Sequence, residues 1–331
     1  MSTALLSDSV DTLISESELQ VLTIDGLQFI FPTRCEDVVI NNLRRRSQCT
    51  QWSCIGCCYE FYKNIACTSE HISRLVTPKD GYIVDIGCHI GTVALPLAKI
   101  KYPVLAIDGS EESITCLSKA SIKNDLYNVF TKHAILSNAQ YACDFQSRSS
   151  PYSSIEIGDS NYTTTLDRLL GTIKCQLNDN TNMRCSLIKI DTEGYEREVL
   201  EGGQNTILKH QPTLYLEINT HLLHKRGLSP NEIFNYLDKW SYRLFMIDMS
   251  NPTMTKLHRF EPTVQFPFTI ENIIAIHTDH MSHYLSSSSH IPIDSPWTEQ
   301  DSDIILQQYL DTLPIESPFY DYITSLDYTR G

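Results

Sequence analysis

Asp85, Gly87 and Gly91 follow one another as D-x-G-x-x-x-G at the end of the apolar run "YIVDIG". In an open α/β sheet, ligands bind beyond the carboxyl ends of the strands. Gly87 lets the chain turn tightly there, and Gly91 lets the next helix pack close. A dinucleotide site wants G-x-G-x-x-G, so that a helix N-terminus meets pyrophosphate. The middle glycine is missing here, and the carboxylate of Asp85 would repel a phosphate. A cationic, phosphate-free ligand suits the turn better, such as S-adenosylmethionine with its ammonium and sulfonium. Asp108 ends the next apolar run, "VLAID", 23 residues after Asp85. An acid at that place can accept hydrogen bonds from both hydroxyls of a ribose.

A second cluster lies further along. "SLIKID" carries Lys189 and Asp191 two residues apart, hence on one face of a strand. Glu193 follows in the turn, Glu196 lies in the next helix on its side, and Glu217 ends the strand "TLYLEI". Were the ligand S-adenosylmethionine, transfer of its methyl group would be an in-line displacement that needs an aligned acceptor and, for a hydroxyl, removal of its proton. Asp191 or Glu217 could serve as the general base, or one of them could grip the cationic side of the cofactor. Lys189 would hold a neighbouring carboxylate or lower an acceptor's pKa. His221, in "NTHLLHKRG", is a further proton acceptor near neutral pH; with His224 it reads as well as an exposed loop histidine. Two other readings stay open: an ion-pair network that merely closes the loop, and a Mg²⁺ site of Asp191, Glu193 and Glu217, possible but not expected.

The elements that must position these residues alternate. Apolar runs at 82–87, 104–108, 129–136, 186–191, 213–218, 242–249 and 272–278 read as strands. Helical spacing appears at 92–100, with Pro96 in the first turns, and at 110–125, capped by Ser110. It recurs at 194–210, interrupted at Gly202-Gly203, and at 229–240, with a Ser229–Glu232 capping box and Pro230 first. Such alternation predicts a doubly wound, mostly parallel, seven-stranded sheet. Residues 1–78 read as an N-terminal hairpin, turning at Asp25-Gly26, and a helical cap. Residues 79–280 read as the binding domain, and 281–331 as an acidic extension. The loop 139–162 is assigned to acceptor specificity. Trp240, Tyr242 and Phe245 read as core.

With these elements in place, the chain resembles the FkbM-type methyltransferases, a branch of the class I, Rossmann-like, S-adenosylmethionine-dependent fold. The resemblance rests on the Asp85/Gly87/Gly91 loop, Asp108, Thr165-Leu166-Asp167, the block from Lys189 to Gly202 ("KIDTEGYEREVLEG"), and Glu217, across roughly residues 55–280. It implies O-methylation of a hydroxyl on a glycan or small-molecule metabolite. Cofactor contacts are expected from Asp85, Gly87, His89, Gly91, Asp108 and Gly109. Lys189, Asp191, Glu193, Glu217 and His221 are expected on the reaction side. The family usually has Ala-Asn where this chain has Cys88-His89, and Glu-Pro where it has Asp108-Gly109. Aspartate's shorter arm needs a closer sugar, and His89 could meet the methionine carboxylate.

Composition sets outer bounds. The formal net charge of −14 disfavours non-specific nucleic-acid binding. Residues 281–331 hold eight acidic residues against Arg330 alone, half of that charge. "MSTALLSDSV" lacks the basic start and apolar core of a signal peptide, and no apolar run is long enough for a membrane span. A cytoplasmic setting is therefore expected, with the eleven cysteines free or bound to metal. "CTQWSCIGCC" offers one C-x-x-C, where a strong zinc signal needs two. A nicotinamide-dependent oxidoreductase and a non-catalytic interaction protein of the same fold are the rival readings.

Overall fold

The computed structural model describes residues 14–24, 26–34, 39–41, 43–44, 72–73, 75–76, 81–146, 154–176, 184–248, 256–260, 270–281 and 293–294. The cysteine-dense stretch 49–58 and residues 295–331 of the acidic extension lie outside the described residues. Strands β1 (Leu19–Ile24) and β2 (Leu27–Pro32) form an antiparallel hairpin. Gly26 sits in its turn with φ +72°, the left-handed region that a two-residue hairpin needs.

The alternating part runs β3 (Tyr82–Ile86), α1 (Ala94–Lys99), β4 (Val104–Asp108), α2 (Glu111–Lys123) and β5 (Val129–His133). An inserted unit follows: β6 (Ile135–Leu136), β7 (Ala142–Gln146) and β8 (Ser154–Thr164). Then come α3 (Leu166–Gln176), β9 (Cys185–Ile190), α4 (Glu196–Gly202), α5 (Gln204–His210) and β10 (Thr213–Asn219). The chain closes with α6 (Thr220–Lys225), α7 (Pro230–Lys239), β11 (Tyr242–Asp248), β12 (Lys256–Phe260), β13 (Ile270–His277) and β14 (Ile293–Asp294).

The main sheet has the order β14-β12-β11-β13-β10-β9-β3-β4-β5. From β10 to β5 every pairing is parallel, and β13 runs antiparallel to both of its neighbours. The seven expected strands are all present. Two more, β12 and β14, extend the sheet beyond β11, so it has nine strands rather than seven. The run 129–136 is not one strand. It breaks at Ala134, and β6 leaves to pair with β8 in a separate three-stranded sheet, β6-β8-β7. The stretch 139–162, expected as a loop, is largely the β7–β8 pair.

The central strands are apolar because helices cover both faces. Period two divides them. Ile83, Val104, Ala106, Leu187 and Tyr215 face a core shared with α1, α2 and the hairpin. Val84, Ile86, Leu105, Ile107, Ile188, Ile190, Leu214 and Leu216 face a second core under α3, α4, α5 and α7. Asp85, Lys189 and Glu217 are in phase with Ile83, Leu187 and Tyr215, and Asp108 is in phase with Val104 and Ala106, hence all four lie on the first face. Trp240, Tyr242 and Phe245 are buried, as expected.

Helix starts follow their caps. The Ser110 hydroxyl accepts from Ser113 N–H, and Ser229 with Glu232 forms a complete capping box. The hairpin docks through Asn124, which accepts from Gln28 N–H (2.8 Å) and donates to Gln28 C=O (2.7 Å). Asn124 follows the C-terminus of α2. The hairpin therefore sits at the end of the sheet away from the strands' carboxyl ends.

Candidate active site

The chain proceeds outward from β3 to β4 and β5, then returns on the other side of β3 as β9 and β10. The crevice between β3 and β9 is thus the topological switch point, where an open sheet leaves room for a ligand. Two turns meet there. Gly87 has φ +74°, and a Cβ on it would fall 1.7 Å from the Asp191 carbonyl oxygen. The Asp191 N–H also donates to Ile86 C=O (3.1 Å). The post-β3 and post-β9 turns therefore touch backbone to backbone, and only glycine fits at 87. Gly91 has φ +88°, and its absent side chain leaves room for Leu117 of α2.

Beneath these turns lies a buried charge cluster. Asp85 and Lys189 are register partners on adjacent strands. Asp85 is fully buried, and among the described residues no hydrogen bond reaches either carboxylate oxygen. Among the described residues its close counter-charge is the Lys189 ammonium, 3.6 Å away. Burial pushes the Asp85 carboxyl above the usual range, against the pull of Lys189. Lys189 is buried too, and its Nζ donates to Asp191 Oδ2 at 3.0 Å. Burial opposes its charge, but Asp191 and then Asp85 outweigh it, so the ammonium stays protonated.

Asp191 reaches solvent, with 29% of its side chain exposed. Burial works against its charge, and Lys189 together with a hydrogen bond from Glu217 more than compensates, so its carboxyl titrates low. Glu217 behaves oppositely. Burial, the Asp191 charge and the shared hydrogen bond raise its carboxyl well above the ordinary range. The two form a pair with one proton, carried by Glu217. Asp191 is thus the ionised member of the cluster that reaches solvent, which is the polarity a cationic ligand needs.

The turn that presents these groups is held under strain. Glu193 has φ +54° and Gly194 φ +92°, two left-handed residues in succession. Glu196 staples them: its Oε1 accepts from Thr192 N–H (3.1 Å), Thr192 Oγ1–H (3.2 Å) and Gly194 N–H (3.0 Å). Glu196 is buried, and burial raises its carboxyl to about 7. Arg226 clamps from outside. Its guanidinium lies 3.6 Å over the Tyr195 ring, donates to Gly194 C=O, and pairs with Glu198 (2.7 Å).

On the other side of β3, Asp108 ends β4 as expected, and its carboxylate ties two turns together. Oδ2 accepts from His89 N–H and Oδ1 from Ser110 N–H, both at 2.8 Å. His89 sits in the left-handed region at φ +49°. Cys88 is buried, which raises its thiol well above the normal range, so it is packing rather than a nucleophile.

The structure thus brings Asp85, Gly87, Asp108, Lys189, Asp191 and Glu217 to one end of the sheet. His221 is exposed on the first turn of α6, a helix that sequence reading took for a loop, and among the described residues no hydrogen bond joins it to that cluster. Asp167 of the T-L-D run lies elsewhere: its carboxylate accepts from Asn205 N–H (3.0 Å) and Thr206 N–H (2.8 Å) and so caps α5. Glu196 as staple and Arg226 as clamp escaped sequence reading; the first stands in the K-I-D-x-E-G-x-E block, while nothing near the second marks it. Among the described residues, no group of three His, Cys, Asp or Glu is arranged to hold a metal ion, and no helix is long and apolar enough to cross a membrane.

No curated protein sequence matches this chain. Several solved structures share features with it. One is a methyltransferase FkbM from Methylobacillus flagellatus KT, at 14% identity over 60% of this chain, with TM-score 0.37. This chain spans 43% of that protein's length. Another is the magnesium protoporphyrin IX methyltransferase of Synechocystis PCC 6803, solved with bound SAM, at 13% identity. It covers 73% of this chain and 92% of its own, with TM-score 0.39. A third is M. jannaschii TYW2 in complex with AdoMet, at 10% identity, 80% and 86% coverage and TM-score 0.36. The family model described as the methyltransferase FkbM domain matches residues 85–244, a span that begins at the buried Asp85 and includes every member of the charge cluster. Over those residues, just under half of its length, this chain matches the methyltransferase FkbM domain.

Proposed function

We propose that the chain transfers a methyl group from S-adenosylmethionine to a hydroxyl of a small molecule or glycan. The observation that carries this reading is the acidic cluster at the switch point, where Asp191 stays ionised and accessible beside the glycine turn. That donor set fits a positively charged sulfur and ammonium, and it is unsuited to a pyrophosphate. When bound, the cofactor supplies a methyl carbon made electrophilic by its sulfonium.

The chain's own residues do the rest. Gly87 and Gly91 keep the turn low, so that backbone lines the ligand's path. Asp108, with each oxygen already holding one amide, keeps lone pairs to accept from a ribose. Asp191 faces the positive end of the cofactor, and Lys189 holds it ionised. Glu217 holds the proton of the pair more tightly than an ordinary glutamate; after that proton passes to solvent, its carboxylate is the stronger base and takes the acceptor hydroxyl's proton.

Calorimetry with two ligands tests the charge argument. Asp191→Asn should weaken binding of S-adenosylmethionine about tenfold more than that of S-adenosylhomocysteine, which lacks the sulfonium; tenfold is about 1.4 kcal/mol. Equal losses for both ligands, or no loss for either, would show that the cluster does not read the positive sulfur.

A further inference from the structure

The turn after β4 carries an aromatic ring from a distant part of the chain. A Cβ placed on Gly109 would fall 2.7 Å from Phe145 Cε2 and 2.8 Å from Cζ. The half-buried Phe145 ring therefore rests directly on the Gly109 backbone, where any other residue would push it away. This gives the Asp108-Gly109 pair a physical reason: glycine at 109 is the seat of the ring. The seat is itself fixed. Asp108 holds two amides, and the Gly109 carbonyl meets His133 Nε2 at 2.9 Å.

Phe145 is also held from the far side of the crevice. Its register partner across the β7–β8 ladder is Ile155. Both backbone groups of Ile155 bond to one hydroxyl: Tyr195 Oη donates to Ile155 C=O (2.9 Å) and accepts from Ile155 N–H (3.2 Å). Tyr195 directly follows the Glu193–Gly194 turn. One rung of an inserted ladder thus rests on the post-β4 turn at one end and is tied to the post-β9 turn at the other.

We propose that Phe145 is a ligand-binding residue: the aromatic wall that receives the planar base of a nucleoside bound at the ends of β3 and β4. Tyr195 is its positioning residue, acting through Ile155. The inference deepens the reading above and rests on it. The half-buried ring rests on the residue that follows Asp108, the carboxylate read as holding the ribose, so it adjoins the place of the attached base, and stacking on an aromatic face is worth a measurable share of affinity.

Titration calorimetry with S-adenosylhomocysteine and with free adenosine tests it. Phe145→Leu, which keeps an apolar side chain, should weaken both ligands about tenfold. Phe145→Tyr, which keeps the ring, should bind within about twofold of the wild type. Tyr195→Phe, which keeps the ring under Arg226 but removes both bonds to Ile155, should lose about threefold. Unchanged affinity in Phe145→Leu, or an equal loss in Phe145→Tyr, would reduce Phe145 to packing and overturn the inference while leaving the cofactor reading intact. Failure of the wild type to bind S-adenosylhomocysteine at all would overturn both.

Discussion

Glu196 illustrates how one side chain sets both a shape and a pH dependence. It satisfies three donors of a turn whose residues 193 and 194 lie in the left-handed region. Burial lifts its carboxyl from an ordinary 4.5 to about 7. The folded chain then binds that proton more tightly than the unfolded chain does. Stability contributed by this group is fully present below about pH 4.5 and is lost as pH rises through 7. The loss is roughly 3 kcal/mol, at about 1.36 kcal/mol for each unit of pKa change. Glu196→Gln keeps an acceptor for Thr192 and Gly194 but cannot ionise. Urea denaturation from pH 4.5 to 8 should therefore show a flatter stability profile in the variant, with the gain over wild type largest at the alkaline end. Of the residues themselves, the sequence showed those that strand periodicity puts on a shared face: Asp85, Asp108, Lys189 and Glu217. It did not show Phe145, Tyr195 or Arg226 in their roles. Their partners lie 36, 40 and 28 residues away in Gly109, Ile155 and Glu198, and no local pattern encodes such contacts.

Elements were legible where their ends carry chemistry. Ser110, Ser229, Glu232 and Pro230 announced two helix starts, and Gly202-Gly203 announced the break between α4 and α5. That break has a packing cause: a Cβ on Gly202 would fall 2.1 Å from the Ser137 carbonyl oxygen. The start of α5 was hidden, because its cap comes from Asp167, 38 residues earlier. Asp167→Ala removes the acceptor of two amides at that start. It should cost about 1 kcal/mol, within the 0.5–2 kcal/mol spread for lost caps, as read by thermal or chemical denaturation. Strands β7 and β8 were missed for a different reason. Their residues, such as "ACDFQ" and "GDSNYTT", lack the apolar alternation of a half-buried strand. The ladder is irregular as well, with a register shift between Cys143 and Asp144. Asp144 turns its carboxylate onto Ser160 N–H (3.1 Å), and hydrogen bonding from the Ser160 side chain, then from its backbone, holds its pKa below the usual value.

At the scale of the molecule, the sheet order concentrates the ionisable side chains of the crevice on one face while two separate apolar cores hold the strands. A ligand that binds only the folded form must then stabilise the whole sheet. S-adenosylhomocysteine at a free concentration one hundred times its dissociation constant should raise unfolding free energy by about 2.7 kcal/mol, visible as a higher melting temperature. No shift at that concentration would contradict binding to the native crevice. At the opposite border of the sheet, β14 lies beside β12 for only two residue pairs, Leu257 with Ile293 and His258 with Asp294. That small addition gives residues 293–294 the part of a selvedge. Shortening the polypeptide upstream of Ile293 would bare the hydrogen-bonding groups of β12, and a bared strand margin is a template on which another copy can pair and aggregate.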